Sequence, residues 1–274
     1  KWDALKTFVS WQIGQMINPY PALIPFGSKS KLLIKKGMTG ATGNLYTGLH
    51  EFEEMSFILH FLRRSDLFID IGANIGSYSI LAAVEKESRT IAFEPIPNTY
   101  EILKQNISIN HVEEKVQTHC LGLGAKSQMI SFTSTQDTMN HVDDHLGNLQ
   151  CRIEPLDAIV EAITTTTLVK IDVEGYEMPV LQGMEKALQN SELKVVIIEL
   201  NGSGMKYGYS DNEIDALLKS KKFQAFSYQP LTRTLVEWNN NPHPGANRIY
   251  LRELDFVEER LKNSEKIVIF GKSF

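Results

Sequence analysis

Residues 67–77 read LFIDIGANIGS, a short apolar run that ends near an aspartate and then turns through two glycines, Gly72 and Gly76. The run LFIDI (67–71) has the composition of a buried strand, and the residues after the turn have helical periodicity. Asp70 at the end of this strand would repel a diphosphate, whereas it suits a ligand that carries an ammonium group or hydroxyls. The stretch therefore favours an amino-acid-bearing nucleoside over a dinucleotide as its ligand.

The turn and the next strand predict how such a nucleoside would be held. Gly72 allows a tight bend, Gly76 allows a ligand or the sheet to approach without a Cβ clash, and Asn74 tolerates left-handed backbone geometry. The second strand, RTIAFE (89–94), ends in Glu94, whose carboxylate can accept bonds from both hydroxyls of a ribose. The alternative is that the two carboxylates only cap adjacent helices, but their combination with this spacing favours a nucleoside site.

Strands and helices alternate along the chain from residue 67 onward. Five apolar runs predict the main strands, two further runs close the sheet, and MISFTS (129–134) is an extra strand. This order predicts an α/β fold with a seven-stranded, mostly parallel sheet and helices on both faces. Right-handed crossovers then place the carboxyl ends of the parallel strands on one rim, with the ligand crevice at the switch point. The seven runs are LFIDI (67–71), RTIAFE (89–94), KVQTHCLGL (115–123), TTTLVKIDV (165–173), KVVIIEL (194–200), FQAFSY (223–228) and NRIYLREL (247–254).

Two segments lie outside this alternation. Residues 1–62 precede the first core strand and are predicted to form an N-terminal helical extension that packs on the core, residues 63–274. The polar segment 134–150 is predicted to form a loop or lid over the crevice. With 274 residues and 42% apolar side chains, the chain is long enough for one large domain with such an appended element.

Composition excludes several classes of function. The net charge is −5 and no Lys/Arg tract is clustered, so a nucleic-acid-binding surface is not expected. No apolar run reaches the roughly 18 residues of a membrane span. Cys120 and Cys151 lie in no metal-binding pattern and are predicted to be free, buried thiols; this suits a reducing compartment, and we expect a cytoplasmic protein. Composition leaves the oligomeric state open.

Four motifs carry a more specific signal: DIGANIG (70–76), AFEPIPNTYEILKQNISIN (92–110), LVKIDVEGYEMPVLQGM (168–184) and VVIIEL (195–200). As a set they resemble the successive motifs of FkbM-type methyltransferases. The resemblance covers about residues 45–200, and NRIYL (247–251) more loosely. It implies an S-adenosylmethionine-dependent enzyme with the Rossmann-like methyltransferase fold.

The resemblance also implies a set of contacts to S-adenosylmethionine. Glu94 would hold the ribose hydroxyls, with Pro95 and Ile96 near the adenine. The segment GLHEFEE (48–54) is similar to the stretch that precedes the core in this family, which makes Glu51 a candidate contact to the amino group of the cofactor. The residues that would surround the methionine part are Asp70, Gly72, Ala73, Asn74 and Gly76.

The chain departs from the family pattern at two places. His50 stands where the family usually has a tyrosine. CLGLGAKS (120–127) has Ala125 and Lys126 where the family often has an acidic residue after the third strand. Recognition of the adenine is therefore expected to rely on backbone groups or other side chains.

The fourth strand supplies the candidate catalytic residues. IDVEG (171–175) lies at its carboxyl end, so Asp172 and Glu174 are expected near the transferred methyl group. Since a carboxylate at its ordinary pKa is a weak base towards a sugar alcohol, we expect orientation and charge stabilisation from at least one of them. The alternative is that one of the two caps the next helix. Glu199, which ends the fifth strand, is expected to face the same rim as a substrate contact.

The polar segment contains better proton acceptors. In NHVDDH (140–145), His141 is a candidate base, and Asn140 and His145 are candidate contacts to the acceptor. The i, i+4 spacing of the two histidines around two aspartates would also suit a metal ion, but a solvated loop is the plainer interpretation. We predict no bound metal.

These inferences predict a methyltransferase that uses S-adenosylmethionine and methylates an oxygen of a small-molecule or glycoside acceptor. The acceptor class, a hydroxyl on a sugar or secondary metabolite, comes from the resemblance, and N-methylation of a small molecule is the alternative within the class. Two alternatives belong to other classes. One is a nicotinamide-dependent oxidoreductase, which needs a GxGxxG turn where this chain has Asn74. The other is a non-catalytic nucleoside-binding protein.

Overall fold

An eight-stranded sheet forms the centre of the computed structural model, which describes residues 2–17, 20–35, 37–132, 149–238, 246–269 and 272–274. The strands in chain order are β1 (Ala22–Pro25), β2 (Lys31–Ile34), β3 (Leu67–Ile71), β4 (Arg89–Phe93), β5 (Val116–His119), β6 (Gly122–Leu123), β7 (Gln128–Phe132), β8 (Leu149–Glu154), β9 (Thr167–Ile171), β10 (Leu193–Glu199), β11 (Gln224–Gln229), β12 (Thr234–Glu237), β13 (Asn247–Leu251), β14 (Val268–Ile269) and β15 (Lys272–Ser273). The α-helices are α1 (Trp2–Ile17), α2 (Thr39–Thr47), α3 (Phe52–Phe61), α4 (Ser77–Ile80), α5 (Pro97–Ile109), α6 (Leu156–Ile159), α7 (Glu177–Gln182), α8 (Glu185–Gln189), α9 (Asp211–Ser220) and α10 (Leu254–Lys262). A π-helical turn (Leu81–Glu85) continues α4, and a 3₁₀-helix (Ser203–Tyr207) precedes α9.

The central sheet has the strand order β12-β11-β13-β10-β9-β3-β4-β5. The pairs β3–β4, β4–β5, β3–β9 and β9–β10 are parallel, whereas β13 runs antiparallel to both of its neighbours. From β3 the chain proceeds to β4 and β5 on one side and returns to β9 and β10 on the other. The switch point therefore lies between β3 and β9. The predicted α/β fold with a mostly parallel sheet is confirmed.

Apolar cores lie on both faces of this sheet. Successive residues of β3 point to opposite faces, so that Phe68 packs in one core and Ile69 in the other. Helices α3, α5 and α10 contribute to the first core, and helices α7, α8 and α9 contribute to the second. Representative side chains are Phe57, Leu103 and Leu261 in the first core, and Leu181, Leu188 and Leu218 in the second.

The strand assignments need two corrections. The sheet has eight strands where seven were predicted, because residues 234–237 fold back on β11 as an antiparallel edge strand. This strand is mostly exposed and lacks the apolar run from which the other strands were predicted. The predicted third strand, residues 115–123, is divided: β5 ends at His119, and β6 joins β7 and β8 in a separate three-stranded sheet.

The region before β3 contains a β-hairpin as well as helices. Strands β1 and β2 pair antiparallel between α1 and α2. Buried side chains from the hairpin and α3, such as Phe26, Leu32 and Phe57, belong to the same core as residues of the central sheet. The region thus packs on the sheet, and the division at residue 62 stays a prediction.

Two expectations from composition can be compared with the structure. Within the described ranges, no helix combines the length and apolar character needed to cross a bilayer. Both cysteines are free, as predicted. Cys151 is buried, but Cys120 is exposed, because it lies in the turn between β5 and β6.

Candidate functional site

An open pocket lies at the carboxyl ends of β3, β4 and β9, where the switch point predicts a ligand crevice. The region before β3 completes one wall of this crevice with Asn44, His50, Glu51 and Met55. Five of the lining residues are acidic, whereas Lys170 is the one lysine among them. This excess of carboxylates suits a ligand that carries positive charge.

The glycines of the turn after β3 are required by close approach of the chain itself. Gly72 has φ +81°, and a Cβ there would lie 1.8 Å from the backbone oxygen of Asp172. Gly76 has φ +91°, and its Cβ would lie 2.5 Å from Cδ1 of Leu103 in α5. Asn74 adopts the left-handed conformation predicted for it, with φ 51°. Gly72, Ala73 and Asn74 line the crevice, whereas the glycine at position 76 makes room for a helix rather than for a ligand.

Asp70 lies where the sequence predicts it, in the wall of the crevice at the end of β3. Its side chain is buried and accepts a hydrogen bond of 2.6 Å from the hydroxyl of Ser79. Burial raises the pKa of Asp70, and the charge of the nearby Lys170 opposes that increase. Asp70 is thus a buried acidic group with a cation beside it.

Glu94 at the end of β4 joins the two turns that border the crevice. Its carboxylate accepts hydrogen bonds from the backbone N–H groups of Asn74 and Ile96, each at 2.9 Å. Burial raises the pKa of Glu94 to about 7, although the two amide bonds oppose the increase. Since each oxygen accepts one amide and keeps a further lone pair, both oxygens can still accept a hydroxyl.

Glu51 connects three parts of the chain beside the crevice. One carboxylate oxygen accepts a hydrogen bond of 2.8 Å from the hydroxyl of Tyr78, and the other accepts a bond of 2.6 Å from the amide of Asn247. Tyr78 lies in α4, and Asn247 begins β13. Glu51 therefore ties the region before β3 to the core at the ligand pocket.

Lys170 is buried in β9, with 2% of its side chain exposed. Its ammonium lies 2.7 Å from Oδ2 of Asp172 and 4.5 Å from the centre of the Tyr78 ring. Burial disfavours the charge, but Asp172 and Glu51 outweigh burial and raise the pKa of Lys170. The group is therefore a cation at neutral pH.

Three carboxylates meet at the rim beyond β9 and β10. Asp172, Glu174 and Glu199 each bring one oxygen within 4.8 Å of the others. Burial and the neighbouring Asp172 raise the pKa of Glu174 to about 7 and that of Glu199 to about 8. Asp172 and Glu174 line the crevice, whereas Glu199 is not among its lining residues, so its expected contact with the substrate stays a prediction. These three carboxylates are partly buried, and the absence of a metal at them stays a prediction.

The alternative that Asp172 or Glu174 caps the following helix is not supported. Helix α7 begins after Tyr176 and has no side-chain capping bond. Instead, Glu177 folds back and accepts a hydrogen bond of 3.0 Å from the N–H of Gly175. The two carboxylates thus remain available to the crevice.

The protein-family model described as the methyltransferase FkbM domain matches residues 70–225 of the sequence, which is more than half of the chain. The chain belongs to the FkbM methyltransferase family. It is 28% identical over 176 residues to the hexuronic acid methyltransferase AglP of Haloferax volcanii, covering 63% of this chain and 69% of that protein. It is 22% identical over 214 residues to methyltransferase sdnD of Sordaria araneosa, covering 65% and 78%.

A solved structure of an FkbM methyltransferase from Methylobacillus flagellatus KT is also similar. It has a TM-score of 0.48 and 16% sequence identity, and the match covers 91% of this chain. The chain spans only 60% of the length of that protein.

In this FkbM chain, the side of the crevice beside Glu94 is an apolar wall. Ile96, Leu123 and Ile153 line this side of the crevice. Leu123 belongs to β6 and Ile153 to β8, so the small three-stranded sheet forms part of the pocket. Pro95 lines it as well, and its place near the adenine stays a prediction.

Two groups of site residues differ from the sequence-based assignment. His141, Asn140 and His145 lie outside the residues that the structure describes, so their roles stay predictions. Sequence reasoning missed Tyr78 and Asn247. From the sequence, Lys170 could either contact the crevice or only flank the sheet. For Lys170 a signal existed, since a lysine interrupts an otherwise apolar strand.

Proposed function

We propose that this FkbM methyltransferase binds S-adenosylmethionine in the crevice and transfers its methyl group to a hydroxyl of a sugar or secondary metabolite. The observation that supports this most directly is the pair of acidic strand ends, Asp70 and Glu94, on either side of a glycine turn at the switch point. Such a pair suits a ligand with hydroxyls at one end and an ammonium at the other. S-Adenosylmethionine has both, together with a positively charged sulfonium.

The lining residues fit the donor from end to end. Glu94 would accept the two ribose hydroxyls, and the apolar wall of Ile96, Leu123 and Ile153 would cover the adenine. Asp70 and Glu51 would face the amino acid. Bound in this way, the donor supplies a methyl group already activated by the sulfonium, so the main task of the protein is alignment, worth roughly 7–11 kcal/mol.

The acceptor would lie beside Asp172 and Glu174. As the acceptor oxygen bonds to the methyl carbon, the carbon–sulfur bond breaks and the hydroxyl proton must leave. Glu174 suits this proton, because its pKa of about 7 makes it a better base than an ordinary carboxylate. A sugar acceptor is supported by the Haloferax volcanii relative, whose name describes a hexuronic acid methyltransferase.

The proposal is tested by incubating the protein with S-adenosylmethionine and a panel of glycosides and polyketide alcohols. We expect mass spectrometry to show a gain of one methyl group on an oxygen of at least one compound. A methyl gain on nitrogen alone would support the N-methyltransferase alternative. Binding of the donor without transfer to any acceptor would support a non-catalytic binding protein, and bound reduced nicotinamide seen by absorbance would support an oxidoreductase.

A further inference from the structure

Lys170 is an unusual side chain for the centre of a parallel sheet. It lies in β9 between two neighbouring strands, opposite Asp70 of β3 and Ile197 of β10. A buried lysine is costly unless its charge is matched by partners with good geometry. Its contacts therefore indicate what the charge is for.

The ammonium of Lys170 is held from two sides. Asp172 lies at the end of the same strand, 2.7 Å from Nζ. The ring of Tyr78 lies 4.5 Å away, and the hydroxyl of Tyr78 is fixed in turn by Glu51 at 2.8 Å. A cation over an aromatic face is stabilised by the ring. Lys170 thus has little freedom to move within the crevice.

Acidic groups face Lys170 from several sides of the crevice. They come from β3, from the ends of β9 and β10, and from the region before β3. Since Lys170 is the one lysine that lines this part of the described structure, its charge opposes the repulsion among them. The groups are Glu51, Glu54, Asp70, Asp172, Glu174 and Glu199, with the neutral Tyr78 among them.

We propose that Lys170 is a positioning residue, the fixed internal counter-ion of the crevice, which orients Asp172 and keeps the buried Asp70 ionised for a positively charged donor. The inference rests on the proposed function and adds a role for a residue inside the sheet. Lys170 does not serve as the base, because its raised pKa keeps it protonated. Lys170 acts through the carboxylates of Asp172 and Asp70.

The test counts protons released when S-adenosylhomocysteine binds. Calorimetry at pH 7 in buffers with different ionisation enthalpies gives this number directly. The wild-type protein should release a fraction of a proton from Glu94, whose pKa is about 7. In Lys170→Met, Asp70 has no cation beside it and is expected to be protonated until the ammonium of the ligand binds. The variant should therefore release about one proton more, and its affinity should increase as the pH rises.

Lys194 offers a matched control. It is also buried in a central strand, lies 2.7 Å from Glu253 and 5.6 Å from the ring centre of Phe256, but it does not line the crevice. Lys194→Met should leave both the affinity and the proton count unchanged. Lys170→Arg keeps the charge and should keep the wild-type proton count. Lys170→Gln repeats the test if the methionine variant does not fold.

The outcomes separate the two proposals. If the wild-type protein does not bind S-adenosylhomocysteine, the proposed function fails. If the wild-type protein binds it, but Lys170→Met and Lys170→Gln weaken binding equally at all pH values with an unchanged proton count, Lys170 is only a structural residue and the inference is wrong.

Discussion

Single carboxylates determine what this crevice can hold. Glu94 has two oxygens that each accept a backbone amide and can each accept one hydroxyl more. Asp70 is buried beside a lysine. Both roles depend on the ionised form of the side chain, so substitutions and pH should affect them in a predictable direction.

Removal of either carboxylate should abolish binding of the donor. Hydrogen bonds to a charged group contribute roughly 1.5–3 kcal/mol each, so Glu94→Ala is expected to weaken binding at least about 100-fold. Asp70→Ala should have a comparable effect. Glu101→Ala, at an exposed position of α5, is the control. Near-normal affinity in both crevice variants, measured by calorimetry, would remove the site assignment.

The affinity should also depend on pH through Glu94. Its pKa is about 7 in the free protein, so at lower pH the side chain is protonated and must lose a proton to accept both hydroxyls. Affinity should therefore rise up to tenfold per pH unit below about 7 and level off above it. In Glu94→Gln, the affinity should not rise with pH in this range. If it rises as in the wild type, the pH dependence comes from another group.

Asp172→Asn should separate binding from turnover. The substitution keeps the shape of the side chain but removes the charge that pairs with Lys170. Donor affinity should stay within about threefold, whereas the methyl-transfer rate should fall by about 10²–10⁴. The rate is measured as release of S-adenosylhomocysteine with an acceptor from the mass-spectrometric panel. Full activity would contradict a role for Asp172 and would leave Glu174, His141 or His145 as the candidate base.

At the scale of elements, the turn after β3 and the end of β9 are built against each other. The backbone of Asp172 occupies the space where a side chain at position 72 would begin. The end of β9 and the turn after β3 therefore cannot move independently.

Gly72→Ala should destabilise the whole fold. The new Cβ would meet the Asp172 carbonyl at 1.8 Å, in a backbone conformation with φ +81°. Gly202 is a matched control, because its φ is +80° but nothing lies within 4 Å of the added atom. Gly202→Ala should cost about 1–2 kcal/mol of unfolding free energy from backbone strain alone. Gly72→Ala should cost more than about 4 kcal/mol. The unfolding free energies are measured by urea denaturation. Equal losses in the two variants would show that the contact between position 72 and the Asp172 carbonyl does not affect stability.

Most of the elements could be predicted from local pattern. Strands β3, β4, β9 and β10 are apolar runs bounded by polar turns, and periodicity finds such runs. The division of residues 115–123 into β5 and β6 could not be predicted in this way. It depends on β6 pairing with β8, which follows about 30 residues later in the chain.

At the scale of the whole molecule, a buried histidine connects the region before β3 to the far edge of the sheet. His60 of α3 is fully buried and lies 2.6 Å from the hydroxyl of Tyr228 in β11. Burial, assisted by the charge of Arg233, lowers the pKa of His60 to about 4. The folded protein therefore holds this imidazole neutral.

His60 should make the protein less stable in mild acid. The unfolded chain binds a proton at a histidine pKa of about 6.5, and the folded chain does so only near pH 4. Stability from this group is complete above about pH 6.5 and falls as the pH drops to about 4, by up to about 3 kcal/mol. Urea denaturation gives the free energy of unfolding of the wild type and of His60→Gln across this pH range. This free energy should depend less on pH in the variant. If the free energy of unfolding changes with pH equally in both proteins, the pH dependence does not come from His60.

The sequence by itself determined the α/β class, the glycine turn and the acidic ends of four strands, because these features depend on neighbours within one strand–turn–helix unit. The tertiary structure decided how the groups at and beside the crevice are joined to one another. Glu51, Tyr78, Lys170 and Asn247 come from four separate parts of the chain, and they meet only because strands and helices far apart in sequence pack side by side. It also decided the charge state of the pocket, since burial and the distance between charges, which set each pKa, exist only in the folded molecule.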